Sequence, residues 1–144
     1  MTELFLIAHV AGRGVAIPAA QVDSAVDIGE IIPVPRAEPA VRGLAALRSR
    51  VVTVVDTGVA LGLAPLGRTA RAVISRVDGH YYALLVDTLE DVASFERRPL
   101  SFGAALGPGW RRAASGLVER DGEPLLILDP AALVPQAQAQ AQAA

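Results

Sequence analysis

The chain has 144 residues, room for one domain or two small subdomains, and 52% of them are hydrophobic, so a packed interior is expected. A net charge of −2 with only 4% aromatic residues excludes the basic, ring-bearing face that nucleic-acid binding requires. Cysteine is absent, which removes both a disulfide framework and a thiolate metal site.

The N-terminus, MTELFLIAHVAGRG, lacks the basic start, long apolar core and small-residue cleavage site of a signal peptide. No apolar run approaches the ~20 residues that cross a bilayer. A soluble, cytoplasmic protein without membrane insertion is expected.

Short β-branched runs separated by turn signals dominate the first half. Residues 4–10 are apolar apart from His9, and Gly12 and Gly14 follow, so 4–10 and 15–17 read as a hairpin. Residues 18–22 read as one helical turn and 26–32 as a strand. Pro33, Pro35 and Pro39 form an extended connector that cannot sit in a central strand. The segment 41–56, VRGLAALRSRVVTVVD, places a turn carrying Arg48 and Arg50 between two apolar stretches, the second ending on Asp56. Asp56 is placed to cap a short helix in TGVALGL. Residues 64–69, with Pro65 and Gly67, form the expected subdomain boundary.

In the second half, 72–74 and 81–86 flank Asp78-Gly79, the favoured chemistry of a tight hairpin. Asp121-Gly122 does the same between 116–118 and 125–128. Residues 101–113, with Gly103, Gly107, Pro108 and Gly109, read as a long loop. Asp129-Pro130 opens another short helix, and the tail QAQAQAQAA is of low complexity.

The two halves repeat. Thirteen residues separate Gly43 from Asp56 and Gly116 from Asp129, each Gly-Leu step leads through an apolar strand to a helix-capping aspartate, and Val22-Asp23-Ser24 matches Val86-Asp87-Thr88. Two related β subdomains are expected. A unit of about 60 residues buries only ~60% of its surface alone, so each must lean on the other.

Little in the chain points to chemistry. His80 follows a tight turn and His9 lies in an apolar strand, where a satisfied core histidine is the simpler reading. Asp56 and Asp129 fit helix caps better than a catalytic pair. Glu90-Asp91 reads as a solvated strand edge, and Arg97-Arg98 and Arg111-Arg112 as solvated loop charges. No P-loop, GxGxxG, GxSxG or HExxH pattern occurs. No catalytic residue, metal ligand or cofactor is expected.

The stretch from Pro35 through Pro39, Val41-Arg42-Gly43-Leu44, Leu47-Arg48 and 51–56 resembles the signature of CheW-like domains, the chemotaxis coupling proteins and the matching regulatory domain of the kinase CheA. AIPAAQVDSAVDIGEIIPVP, HYYALLVDTLEDV and ASGLVERDGEPLLILDPAAL fit the same family in order and spacing. The resemblance spans about residues 4 to 134. It implies a mainly β fold of two tandem SH3-like five-stranded barrels around a shared core, with short helices. The expected layout is one domain over 1–135, subdomains at about 15–65 and 66–135 with strand exchange, and a tail over 136–144.

By the same resemblance, the function is a non-catalytic adaptor of bacterial two-component signalling. Its implied partners are the regulatory domain of a CheA-type histidine kinase and the cytoplasmic tip of a methyl-accepting chemoreceptor. Arg48, Val22, Gly43 and Ser24 fall on positions linked to partner contact. For Arg48 the competing reading is a guanidinium bonding carbonyls of its own turn; for Val22 and Gly43 it is core packing and turn geometry; Arg50 reads as a solvated turn charge. Where the family usually has Asn-Leu-Arg-Gly, this chain has Ala46-Leu47-Arg48-Ser49, and Ser24 stands where a glutamate is usual. Two other readings therefore stand beside the adaptor: a divergent regulator that binds one partner and limits array assembly, and a small-ligand-binding or enzymatic β-barrel protein.

Overall fold

A computed structural model describes residues 1–100 and 106–134; the tail and part of the expected 101–113 loop lie outside these residues. Among the described residues the strands are β1 (Glu3–Val10), β2 (Arg13–Pro18), β3 (Ser24–Asp27), β4 (Val41–Leu47), β5 (Arg50–Asp56), β6 (Arg71–Val77), β7 (His80–Leu85), β8 (Thr88–Phe95), β9 (Ala114–Arg120) and β10 (Glu123–Leu128). The helices are short: α1 (Thr57–Ala60), α2 (Pro108–Ala113), α3 (Pro130–Leu133) and a 3-10 turn at Ala19–Gln21.

The strands form two five-stranded sheets, in the orders β8-β1-β2-β10-β9 and β3-β6-β7-β5-β4. Matching β4-β5 with β9-β10 makes the two orders identical element by element. Gly43 pairs with Val54 and Gly116 with Ile127, so the repeated glycines hold equivalent register. Each capping aspartate lies just beyond: Asp56 accepts from the Val59 N–H, and Asp129 from the Ala131 N–H.

The repeat is tandem in sequence and exchanged in space. Each sheet joins its hairpins through one parallel pair, β2 with β10 and β5 with β7, and each pair takes one strand from either half. The matching segments Val22-Asp23-Ser24 and Val86-Asp87-Thr88 carry the chain from one sheet to the other. The loop over 64–69 lies between β5 and β6, which belong to the same sheet.

Both sheets close by the same device. Beyond β3 the chain returns to β4 through a bridge between Ile32 and Leu44; beyond β8 it returns to β9 through a bridge between Arg98 and Leu117. Gly43 and Gly116 precede the bridged leucines, and glycine is needed because the returning backbone runs against them. A Cβ on Gly43 would strike the Ile32 carbonyl, and one on Gly116 would lie 2.8 Å from the Arg98 oxygen.

Alternation along the strands divides the interior into three cores. Phe5, Ile7, Ala16, Val118, Leu125 and Ile127 fill one barrel. Val52, Val54, Ala72, Ile74, Ala83 and Leu85 fill the other. Leu6, Val10, Val15, Ile17, Val73, Leu84, Leu126 and Leu128 pack between the sheets with Trp110 and Leu133. Strands buried on both faces need no polar alternation, which is why 4–10 reads as a nearly unbroken apolar run.

Two expectations need correction. The strand expected over 26–32 ends at Asp27, because the chain must leave the β6 ladder to make the Ile32 bridge. The expected 101–113 loop contains α2, with Gly107 as its N-cap and Pro108 in its first turn. The Gly-Pro step was the available signal, since proline already has a helical φ and lacks an N–H that would go unbonded there.

Candidate partner-binding surface

The hairpin β4-β5 presents one apolar strip outward. Leu44 and Ala46 alternate away from buried Ala45, and Ala46 pairs with Val51. Ile32, bridged to Leu44, extends the strip; Ile32 and Val51 are 62% and 63% exposed. Exposed apolar side chains in a continuous strip on a sheet face are a mark of an interaction surface.

Arg48 stands at the tip of this hairpin. Leu47 pairs with Arg50, leaving a two-residue turn in which Arg48 has φ 58°. A single positive φ at the first turn position is the type II′ pattern, where glycine is usual. The other three hairpin turns, Ala11-Gly12, Asp78-Gly79 and Asp121-Gly122, have φ of 52° and 78°, 51° and 81°, and 52° and 80°, the type I′ pattern. Arg48 is exposed, and its side chain makes no hydrogen bond or ion pair among the described residues. A bulky residue held in left-handed conformation costs of order 1 kcal/mol, a cost that the turn itself does not repay.

The neighbouring arginines do make contacts within the molecule. Arg50 is exposed, and its guanidinium also stacks 3.8 Å from the centre of the Tyr81 ring, with Arg76 at 5.7 Å. Arg42, which sequence reasoning passed over, ties β4 to Asp56. Its signal was the acid at the strand's end, read only as a helix cap.

The four expected contact residues do not form one cluster. Gly43 and Arg48 lie on the β4 edge of the sheet, and Ser24 opens β3 on the opposite edge. Ser24 pairs with Ile74, and its hydroxyl lies 3.5 Å from Asp23 Oδ2. Val22 ends the 3-10 turn, donates its N–H to the Ala19 carbonyl at 3.1 Å and packs half-buried on the shared core.

A groove of about 460 Å³ runs between the repeats. Val59 and Ala60 of α1 and Ala132, Leu133 and Val134 at α3 line it, with Glu38 and Arg112 at the rim. Arg112 Nη2 donates to the Ala60 carbonyl at 2.8 Å, pinning α2 to α1.

Several charged groups elsewhere are engaged in ion pairs. His9 is not a core residue: at a barrel mouth, its Nδ1 lies 3.2 Å from both Thr88 Oγ1 and Glu90 Oε2. Glu90 also accepts from Arg120 Nη1 at 2.9 Å, and that bond holds the Arg120 guanidinium charged to higher pH than usual. Arg97 bonds both oxygens of Glu3, which lowers the Glu3 pKa. Among the described residues no three His, Cys, Asp or Glu side chains gather as a metal site, and no helix is long and apolar enough to cross a membrane.

The family model described as "CheW-like domain" matches residues 4–138. Among solved structures, the chain is similar to the scaffolding protein TtCheW from Thermoanaerobacter tengcongensis. The TM-score is 0.80 at 18% identity, with 92% of each chain covered. No curated protein sequence matches the chain.

Proposed function

The chain belongs to the CheW-like domain family, and from that premise we propose that it is a non-catalytic scaffold coupling chemoreceptors to a CheA-type histidine kinase. Residues 1–135 act as one domain, with 136–144 as an appended tail, in the cytoplasm.

The observation that carries this reading is the β4-β5 hairpin. It combines an uncovered apolar strip with an arginine that is exposed, unpaired among the described residues and held in an unfavourable turn conformation. Burying the strip against a partner would remove apolar surface from water, and a planar guanidinium can bond a partner carboxylate through two N–H groups. Gly43 sets the geometry of that hairpin. The groove between the repeats is the second surface, suited to an apolar helical segment such as a receptor tip, and Val22 and Ser24 form the third region, at the crossover between sheets.

Ser24 favours a second reading. Its short neutral side chain, turned toward Asp23, offers no carboxylate where the family usually presents glutamate. A regulator that holds one partner and limits assembly follows if the kinase is the partner lost.

The deciding experiment is titration calorimetry of the full chain against a purified CheA-type regulatory domain and, separately, a receptor signalling fragment. Binding to both supports the scaffold, binding to one alone supports the regulator, and binding to neither overturns both.

A further inference from the structure

One end of the barrel built on β3-β6-β7-β5-β4 gathers cations around a single ring. Side chains alternate along a strand, so Arg50 shares a face with buried Val52 and Val54, Arg76 with Ala72 and Ile74, and Tyr81 with Ala83 and Leu85. Those buried residues fill the barrel, and Tyr81 packs half-buried against them. Arg76 pairs with Tyr81 across β6-β7. The guanidiniums of Arg50 and Arg76 both lie against the Tyr81 ring, at 3.8 and 5.7 Å from its centre. Arg48 stands two residues from Arg50, exposed in the β4-β5 turn.

Elsewhere arginines find acids: Arg42 pairs with Asp56, Arg71 with Asp27, Arg97 with Glu3 and Arg120 with Glu90. Arg48, Arg50 and Arg76 make no ion pair among the described residues. The acids of neighbouring elements are engaged otherwise. Asp27 is held by Arg71, Asp129 caps α3, and Asp23 lies 3.5 Å from the Ser24 hydroxyl. His80 alternates to the opposite face of β7. The two hairpin tips, 47–50 and 76–81, thus hold three arginines against one aspartate, Asp78. Stacking engages a guanidinium by its flat face and leaves the N–H groups on its edge free to donate. Two such forks held on one ring are pre-organised for carboxylates.

We propose that the stack of Arg50, Tyr81 and Arg76, with Arg48 beside it, is a docking site for an acidic segment of a partner protein that presents two Asp or Glu carboxylates on one face. Charge complementarity names the occupant, since three cations share this end with a single acid. The apolar strip leads to the same place: Ala46 pairs with Val51, and the next pair, Leu47 with Arg50, flanks the turn. The partner segment therefore carries its acids at the end of an apolar stretch. The inference rests on the partner-binding reading of this hairpin and adds the residues that set the partner's charge.

The test is an NMR titration of the isotope-labelled full chain, at low salt, with acetyl-Glu-Val-Glu-amide, whose carboxylates lie on one face when extended. Saturable shifts are expected at Arg48, Arg50, Arg76 and Tyr81, with a Kd of about 1–5 mM. Acetyl-Gln-Val-Gln-amide, of the same length and shape, should bind at least about tenfold more weakly. Arg50→Gln and Arg76→Gln, both at exposed positions, should each weaken binding about three- to tenfold. Tyr81→Leu keeps every charge and should weaken it by about as much, because the guanidiniums lose the ring that orients them. Arg68→Gln, at an exposed arginine with no ion pair among the described residues, should leave binding unchanged. The peptide involves neither kinase nor receptor, so its binding can fail while the scaffold reading stands, and hold while that reading falls. Should Tyr81→Leu fail to fold, the two arginine variants decide the matter. Equal binding by the glutamine peptide, unchanged binding in both Arg50→Gln and Arg76→Gln, full affinity in Tyr81→Leu, or an equal loss in Arg68→Gln would overturn the proposal.

Discussion

Arg42 donates from both Nε, at 3.1 Å, and Nη2, at 2.7 Å, to the same oxygen of Asp56, and that Nη2 also reaches the Leu66 carbonyl at 2.9 Å. The other Asp56 oxygen accepts from the N–H groups of Val59 and Leu66, each at 3.2 Å. A residue that sequence alone presents as a helix cap is thus a junction of strand, helix and loop, and Asp56 is only 1% exposed.

The repeat allows that junction to be measured against an internal control. Asp129 caps α3 by one bond, and Ser115 stands where the first half has Arg42. Asp129→Ala should cost about 1 kcal/mol, the worth of an ordinary cap. Arg42→Ala should cost about 2–3 kcal/mol, because it strips a buried carboxylate of its charged partner; the partial exposure of Arg42 keeps the loss below that of a fully buried pair. Urea unfolding of the two variants checks the order, and equal losses would mean that Asp56 acts only as a cap.

Gly43→Ala and Gly116→Ala should separate in the same assay. Gly43 has φ 147° and would drive a Cβ into a backbone carbonyl, so a loss above about 2 kcal/mol is expected. Gly116 lacks the positive φ and its Cβ contact is looser, so about 1 kcal/mol is expected.

Arg48→Ala should leave the melting temperature nearly unchanged, and Arg48→Gly should raise it, by about 0.5–1 kcal/mol of stability, because glycine accepts the left-handed turn position. Binding to the kinase domain or receptor fragment should weaken by roughly 1–3 kcal/mol in both variants, read by calorimetry. A loss of stability with affinity intact would place Arg48 in its own turn instead.

Ser24→Glu restores a carboxylate at the crossover between sheets. If the kinase uses that face, affinity should rise severalfold, by about 1 kcal/mol, with no change in receptor binding. No change in kinase affinity would favour the single-partner regulator.

Alkaline stability should report on Tyr82. Burial in the shared core, and then the charge of Asp78, raise its phenol above the ordinary value of 10.0. Below that value folded and unfolded chains both hold the proton. Above it the unfolded chain loses the proton first, so stability is lost as pH rises through the folded pKa. Melting temperatures taken across this range should fall, and Tyr82→Phe should flatten the fall.

The local elements were legible because local chemistry dictates them. Asp-Gly pairs supply the two positive φ values of a tight hairpin, aspartate before a small apolar run caps a helix, and the Gly-to-Asp spacing exposes the repeat before any fold is known. The pairing of the sheets was not legible in the same way. Nothing in the periodicity of residues 13–18 or 50–56 says that their partners in parallel lie in the other half of the chain, since parallel pairing leaves no turn to mark it. The resemblance implied strand exchange, but the register of β2 with β10 and β5 with β7 came from packing. The site divides along the same line. An arginine in the β4-β5 turn is plain in the sequence, yet which of Arg42, Arg48 and Arg50 is left without a partner among the described residues depends on where Asp56 and Tyr81 come to lie.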